Sequence, residues 1–290
     1  MKKKTVSVLC AISFHLFALF STAVGCTIWA ATGSEVNGKG SLIGKNRDNL
    51  AYLKTTLRAV FPEKGFGFYG LFDTEADGYV TAGINEKGLV VVNAAANSVP
   101  REERLVATED FTYRLLTSFD SIDSVMLQQS IFEKSYPAIY ILADSSKIMA
   151  IEIAPAGRYI LTTRQTGTLQ FTNHYTSPDM VRENKVANNG SAQRFERIQM
   201  LMSRRMTPFC LDDFVIISND TTGGTNGSLW RAASGRESVR TLAGWVAYVP
   251  PDGDPSVYVK IANESEPEKS RVLKIDQAFW GQEKMGLNRN

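Results

Sequence analysis

Cys26 is the residue with the most chemistry to offer, because of what precedes it. Lys2, Lys3 and Lys4 lead into an apolar run from about Val6 to Val24, and Ala23-Val24-Gly25 has the small-x-small form that signal peptidase cuts. Residues 1–25 therefore read as a secretory signal peptide, with cleavage expected before Cys26. The mature chain then begins with cysteine, and one residue carries both a thiol nucleophile and a free α-amine. Their reference pKa values are about 8.5 and about 7.7–8.0. Near neutral pH such an amine takes the thiol proton and later protonates a leaving amine, so the centre needs no histidine.

Other readings of Cys26 stand beside this one. The apolar run approaches the ~20 residues that span a bilayer, which makes an uncleaved anchor the rival, although no stop-transfer charge cluster follows Val24. A cysteine behind a signal peptide is also a lipid attachment point, but here the usual large aliphatic residue three positions earlier is missing. Cys26 as a disulfide partner or as a buried small hydrophobe completes the set.

The census around it excludes much. The 290 residues contain three cysteines and two histidines, and Cys10 and His15 fall within the segment expected to be removed. That leaves Cys26, Cys210 and His174. A histidine-rich zinc site and a disulfide framework are ruled out, and a mixed zinc site would use every remaining cysteine and histidine. A single Cys26–Cys210 bridge stays open in an oxidising compartment. A papain-like pair would have to be Cys26–His174. Losing residues 1–25 removes three lysines and no acid, so the net charge falls from +2 to −1 and leaves no basic footprint for nucleic acid. With 43% hydrophobic and 21% charged residues the chain is of ordinary globular type. Phosphate-binding and dinucleotide glycine loops are absent, Gly227-Ser228-Leu229 is no nucleophile elbow, and Asp252-Gly253-Asp254 lacks calcium-loop spacing.

The elements that must position these residues follow from pattern. Cys26–Thr32 and Gly40–Lys45 read as strands around the turn at Asn37-Gly38. Further strands are expected at 56–61, 66–72, 79–84, 89–94, 138–143, 148–153, 158–163, 168–172, 242–249 and 257–261. Helices are expected at 108–116, 122–129 and 191–204, the last with Phe195, Ile198, Leu201 and Met202 on one face. Another should start at Thr207-Pro208. Residues 221–226, 250–255 and 263–269 read as turns and polar loops. No long linker divides the pattern, so residues 26–290 form one domain of antiparallel sheets between helix layers.

Five motifs in order then carry a resemblance. They are Cys26-Thr27, Gly44-Lys45-Asn46-Arg47-Asp48, Asn85-Glu86-Lys87-Gly88-Leu89, Thr172-Asn173-His174 and Ser191-x-x-Arg194-Phe195. In order and spacing they resemble the choloylglycine hydrolase and isopenicillin-N acyltransferase group of N-terminal nucleophile hydrolases. The resemblance runs from Cys26 to about Arg197, and more weakly to Trp280.

The resemblance implies an α+β fold, the four-layer αββα sandwich. It implies hydrolysis of, or acyl transfer from, a non-peptide linear amide through a Cys26 thioester. Asp48 would hold the α-amine. Lys45 matches a position that is often arginine in bile-salt hydrolases, and it would keep positive charge near the sulfur without the bidentate fork; Arg47 is the alternative source of that fork. Asn173 would donate to the oxyanion, with Asn93, or behind it Asn97, as second donor. Arg194 would support the charge network, and His174 would stand as a neighbour of Asn173 in the pocket wall. No cofactor or metal is implied. The expected partner is a small-molecule amide, without nucleic acid, with membrane contact only through the signal peptide or a lipid anchor; homo-oligomers remain compatible. The expected location is the periplasm or the exterior. A non-catalytic envelope lipoprotein or binding module acylated at Cys26 is the alternative.

Overall fold

Cys26 opens the first strand of a sheet whose inward face becomes the floor of a reaction centre. The structure, a computed structural model, describes residues 25–73, 78–104, 110–204, 208–235 and 237–287. The expected signal peptide, save Gly25, lies outside the described residues.

Thirteen strands are described: β1 (Cys26–Thr32), β2 (Ser41–Leu50), β3 (Thr55–Val60), β4 (Phe68–Asp73), β5 (Val80–Asn85), β6 (Val90–Ala95), β7 (Ala138–Ala143), β8 (Ile148–Ile153), β9 (Tyr159–Arg164), β10 (Gly167–Phe171), β11 (Val239–Val249), β12 (Ser256–Ile261) and β13 (Lys269–Lys274). The described helices are α1 (Arg101–Arg104), α2 (Phe111–Ser118), α3 (Ile122–Met126), α4 (Asn189–Ser203), α5 (Leu211–Ser218), α6 (Gly224–Gly227) and α7 (Gln277–Leu287).

The strands form two antiparallel sheets. One has the order β10-β1-β2-β11-β12-β13, the other β3-β4-β5-β6-β7-β8-β9. The second keeps chain order throughout, its strands joined by short connections except β6 and β7, between which α1, α2 and α3 are inserted. Side chains alternate across each strand. On β1, Ile28 and Ala30 enter the inter-sheet core with Val92, Ile141 and Trp245. Trp29 and Ala31 point the other way, toward Ile198 of α4 and Phe214 of α5. Phe111, Leu115 and Leu116 of α2 and Ile122 and Val125 of α3 cover the outer face of the second sheet. The layer order is therefore helix, sheet, sheet, helix, the expected αββα sandwich.

Besides the short helices α1 and α6, neither of them expected, three elements differ from expectation. The helix expected from Thr207-Pro208 begins at Leu211, with the Asp213 carboxylate accepting from the Cys210 backbone N–H at 2.8 Å. Capping by the acid three residues in outweighs the proline signal. Strand β13 falls partly within the expected polar loop: Lys269-Ser-Arg-Val-Leu-Lys274 is a mostly exposed edge strand whose charges hide its pairing. Helix α7 was not expected; its Phe279 and Trp280 pack against the inter-sheet core.

Candidate active site

The register of β1 and β2 sets the site. Cys26 stands opposite Arg47 and Ile28 opposite Lys45. By alternation, Cys26, Lys45 and Arg47 belong to the inward face. Asn46 faces outward and ties the sheet to the helix layer: its amide donates to the carbonyls of Ser218, 2.7 Å, and Leu229, 2.6 Å, and its oxygen accepts from the Ser218 hydroxyl at 2.6 Å.

The Cys26 nitrogen donates to Asn173 Oδ1 at 2.8 Å. Arg194 Nη2 donates to the same oxygen at 2.9 Å. Asn173 Nδ2 donates to the Ala95 carbonyl at 2.9 Å, which occupies one of the two N–H bonds of the amide. Ser191, from the first turn of α4, fixes the backbone here by accepting from Asn173 N at 2.9 Å. Arg194 lies one turn further along α4, so one helix places both the Asn173 anchor and its charged partner.

Lys45 is wholly buried. Its Nζ lies 3.5 Å from Cys26 Sγ, donates to Asn93 Oδ1 at 3.2 Å, and also donates to the Asn93 carbonyl oxygen. Burial holds its pKa below the ordinary lysine value, against the pull of Cys26. Asp48 is buried too. Its carboxylate accepts from the Thr241 hydroxyl at 2.7 Å and lies 3.5 Å from Arg231 Nη1 and 3.9 Å from Arg194 Nε. Burial raises its pKa, opposed by the two arginines. Arg194 is pushed down by burial, partly offset by Asp48, and its Nε and Nη1 have no hydrogen-bond partner.

All six expected residues gather around this point, but three arrangements differ from those expected. Asn93 does not present donors: its Nδ2 is committed to the Val80 carbonyl, 3.1 Å, and the Thr112 hydroxyl, 2.7 Å, so it turns two acceptors toward Lys45 instead. Asn97 Oδ1 accepts from Arg104. Arg47 offers no fork to the sulfur; its guanidinium reaches Thr55 at 2.8 Å and Asp73 at 2.5 Å. With Gly25 still attached, the Cys26 peptide N–H is held by Asn173 rather than by the Asp48 carboxylate, while the Asp48 backbone N–H donates to the Gly25 carbonyl at 2.8 Å. Gly25 itself is buried, and a β-carbon there would overlap the Arg194 guanidinium.

His174 does not pair with Cys26. Its Nδ1 meets the Ser191 hydroxyl at 2.7 Å, its ring packs edge-on to Phe195, and it lines a cavity of about 450 Å³ with Ser98 and Asn188. Both Cys26 and Cys210 are free thiols, so the bridge left open by the sequence is not formed. Among the described residues no cluster of His, Cys, Asp and Glu could hold a metal ion, and no described helix is long and apolar enough to cross a membrane. Sequence reasoning missed Arg231 and Thr241. Each comes from a segment without a motif: Thr241 reaches Asp48 because β11 pairs with β2, and Arg231, ahead of β11, is held there by backbone bonds to Thr241.

Two antiparallel sheets between helix layers, with a cysteine opening the first strand against an asparagine and an arginine, define the N-terminal nucleophile hydrolase fold. The solved structure of penicillin V acylase from Agrobacterium tumefaciens shares it, with a TM-score of 0.55 at 14% identity, covering 87% of this chain and 86% of that one. At that identity the likeness is one of fold. The chain belongs to the acyl-coenzyme A:6-aminopenicillanic acid acyl-transferase family, which matches residues 36–266. The matched stretch includes Lys45, Asp48, Asn93, Asn173 and Arg194, with Cys26 just ahead of it. This membership agrees with the group that the five motifs resemble, and it places the chain among enzymes of amide hydrolysis or acyl transfer. No curated protein matches the chain.

Proposed function

We propose that this chain is an exported amidase or acyltransferase acting on a non-peptide linear amide, with Cys26 as its N-terminal nucleophile once residues 1–25 are removed. The observation that carries this reading is the Cys26 nitrogen at 2.8 Å from Asn173 Oδ1, with Lys45 Nζ at 3.5 Å from the sulfur. Nucleophile, nitrogen and polar partners share one buried corner, as covalent catalysis by such a residue requires.

In this mechanism Cys26 Sγ adds to the amide carbonyl carbon and the oxygen becomes an oxyanion. In this reading the second N–H of the Asn173 amide, the one not spent on the Ala95 carbonyl, donates to it. The α-ammonium gives a proton to the leaving amine as the carbon–nitrogen bond breaks, leaving a thioester. The α-amine then takes a proton from water, hydroxide attacks the thioester, and the acid leaves; an amine acceptor in place of water gives acyl transfer. Removing Gly25 uncovers the Arg194 guanidinium and the Asp48 N–H, opening room for substrate where Gly25 sat.

The test combines identity and turnover. Intact mass and N-terminal sequencing of protein exported from a bacterial host should show a chain starting at a free Cys26. That protein should release amine from at least one member of a panel of N-acyl amino acids, N-acyl lactones, conjugated bile salts and penicillin V, with loss of turnover in Cys26→Ala. A lipid-modified Cys26, or full turnover in Cys26→Ala, overturns the proposal; the first outcome points to an envelope lipoprotein.

A further inference from the structure

The proton inventory around Lys45 separates two functions that the α-amine would otherwise perform alone. Lys45 Nζ has three polar neighbours: the Asn93 carbonyl oxygen, Asn93 Oδ1 and Cys26 Sγ. The first two can only accept. Asn93 cannot turn its amide around to donate, because its Nδ2 is held by the Val80 carbonyl and the Thr112 hydroxyl. Two N–H bonds of Lys45 are thus committed to oxygen, and the remaining valence of the nitrogen faces sulfur.

That remaining valence is satisfied in either protonation state. An ammonium has three donors, two for Asn93 and one for a thiolate. A neutral amine has two donors, both for Asn93, and a lone pair that accepts from a thiol S–H. The proton can cross the 3.5 Å between sulfur and nitrogen while every other bond stays in place. Guanidinium at this position would have no lone pair to offer and would stay protonated throughout.

We propose that Lys45 is the proton partner of the Cys26 thiol. This deepens the amidase reading and rests on it for its catalytic meaning. The step balances as follows. In the free enzyme the thiol proton rests on Lys45; the thiolate bonds to the carbonyl carbon, and the α-ammonium protonates the leaving amine as the carbon–nitrogen bond breaks. In the second half the α-amine takes a proton from water, and the departing thiolate meets the Lys45 ammonium again. The Cys26 nitrogen, donating to Asn173 Oδ1, serves the leaving group and the water; Lys45 serves the sulfur.

The surroundings agree with this division. The ionisable groups that act on Lys45 are Cys26 of β1 and Arg47 and Asp48 of β2, and β6 contributes only the neutral Asn93. Arg47 is occupied by Asp73, and Asp48 by Thr241, Arg231 and Arg194, so Cys26 is the acid within reach of Nζ. Burial disfavours the Lys45 ammonium when sulfur does not carry the opposite charge.

The experiment reads the nitrogen directly and needs no amide substrate. A chain starting at Cys26, in a Cys210→Ser background and labelled with ¹⁵N-lysine, is observed by NMR near pH 7 before and after alkylation of Cys26 with iodoacetamide. Alkylated sulfur can neither hold nor return a proton. One Nζ signal is expected to pass from ammonium to neutral amine on alkylation. A Lys45 Nζ that stays ammonium in the alkylated protein overturns the proposal.

Alkylation rates give the second reading. A single glycine added before Cys26, the residue that position 25 already accommodates, displaces the α-amine and is expected to change the rate by less than ~3-fold, whereas Lys45→Met lowers it by about tenfold or more in both forms, because rate follows thiolate fraction. The reverse pattern, slowed by the glycine and untouched by Lys45→Met, assigns the thiol proton to the α-amine and overturns the proposal. A protein that behaves as expected here yet turns over no amide retains the Lys45 pairing and loses the amidase reading, so the two failures are distinguishable.

Discussion

The α-carbon of Gly25 lies against the Arg194 guanidinium, closely enough that any β-carbon at residue 25 would overlap it. The small residue before Cys26 is thus required by the folded site as well as by the pattern of a cleavable leader. Arg194 has little freedom to retreat, being buried and bonded to Asn173 Oδ1 at 2.9 Å.

It follows that Gly25→Val destabilises a chain that still carries residue 25, by about 1–3 kcal/mol for overpacking. The same substitution cannot affect a chain starting at Cys26. Thermal melts of the leader-bearing Cys26→Ala protein, with and without Gly25→Val, measure the difference. Equal melting temperatures would show that the two residues do not meet.

Asp48 is the buried anion between Arg194 and Arg231. Replacing it with asparagine leaves two buried cations facing each other without it. Breaking a buried pair by removing one partner costs about 3–5 kcal/mol. Asp48→Asn should therefore lower the urea midpoint substantially, and the further change Arg231→Met should recover part of the loss by removing one of the stranded charges. A double variant no better than the single one would mean that Arg231 does not contribute to the burden.

Asn173 connects the Cys26 nitrogen, Arg194 and the Ala95 carbonyl. If its remaining amide N–H meets the oxyanion, Asn173→Ala should reduce kcat by about 10²–10³-fold, the range for losing one such donor. KM should change little, since the interaction forms only in the transition state. Steady-state kinetics on the amide identified by screening decides it; a change confined to KM would place Asn173 in substrate binding.

Much of this site was legible because its residues are strand- and helix-register features. Cys26, Lys45 and Asp48 lie on two strands joined by a short connection, and local pattern places both strands. Arg194 and Ser191 sit one turn apart on a helix whose apolar face is evident in the sequence. What stayed hidden depends on long-range pairing. Thr241 and Arg231 reach Asp48 because β11 joins β2 across almost two hundred residues, and no local signal encodes that. The direction in which Asn93 points was hidden for another reason. An asparagine offers donors and acceptors from the same carbon, and only the partners Val80 and Thr112 decide which end faces Lys45.

His174 gives the pH dependence its sign. Burial holds its folded pKa below the ordinary value of 6.5, and the nearby Arg194 charge pushes the same way. Above pH 6.5 the ring is neutral in both folded and unfolded chains and contributes no slope. As pH falls below 6.5 the unfolded chain binds a proton that the folded chain refuses, so stability declines toward the folded pKa. Asp48 acts oppositely: its raised folded pKa means that the folded chain binds the extra proton above the unfolded value of 3.8, so its contribution falls as pH rises through that interval. Comparing the protein with His174→Gln at each pH cancels the Asp48 contribution to first order. The stability of the unsubstituted protein relative to His174→Gln should be level above about pH 6.5 and decline below it, by about a few tenths of a kcal/mol given solvent screening of a partly exposed ring. Urea titrations across this range measure that difference. A difference that grew in favour of the histidine protein on acidification would mean that His174 gains rather than loses protons on folding, and that burial and Arg194 do not hold it neutral.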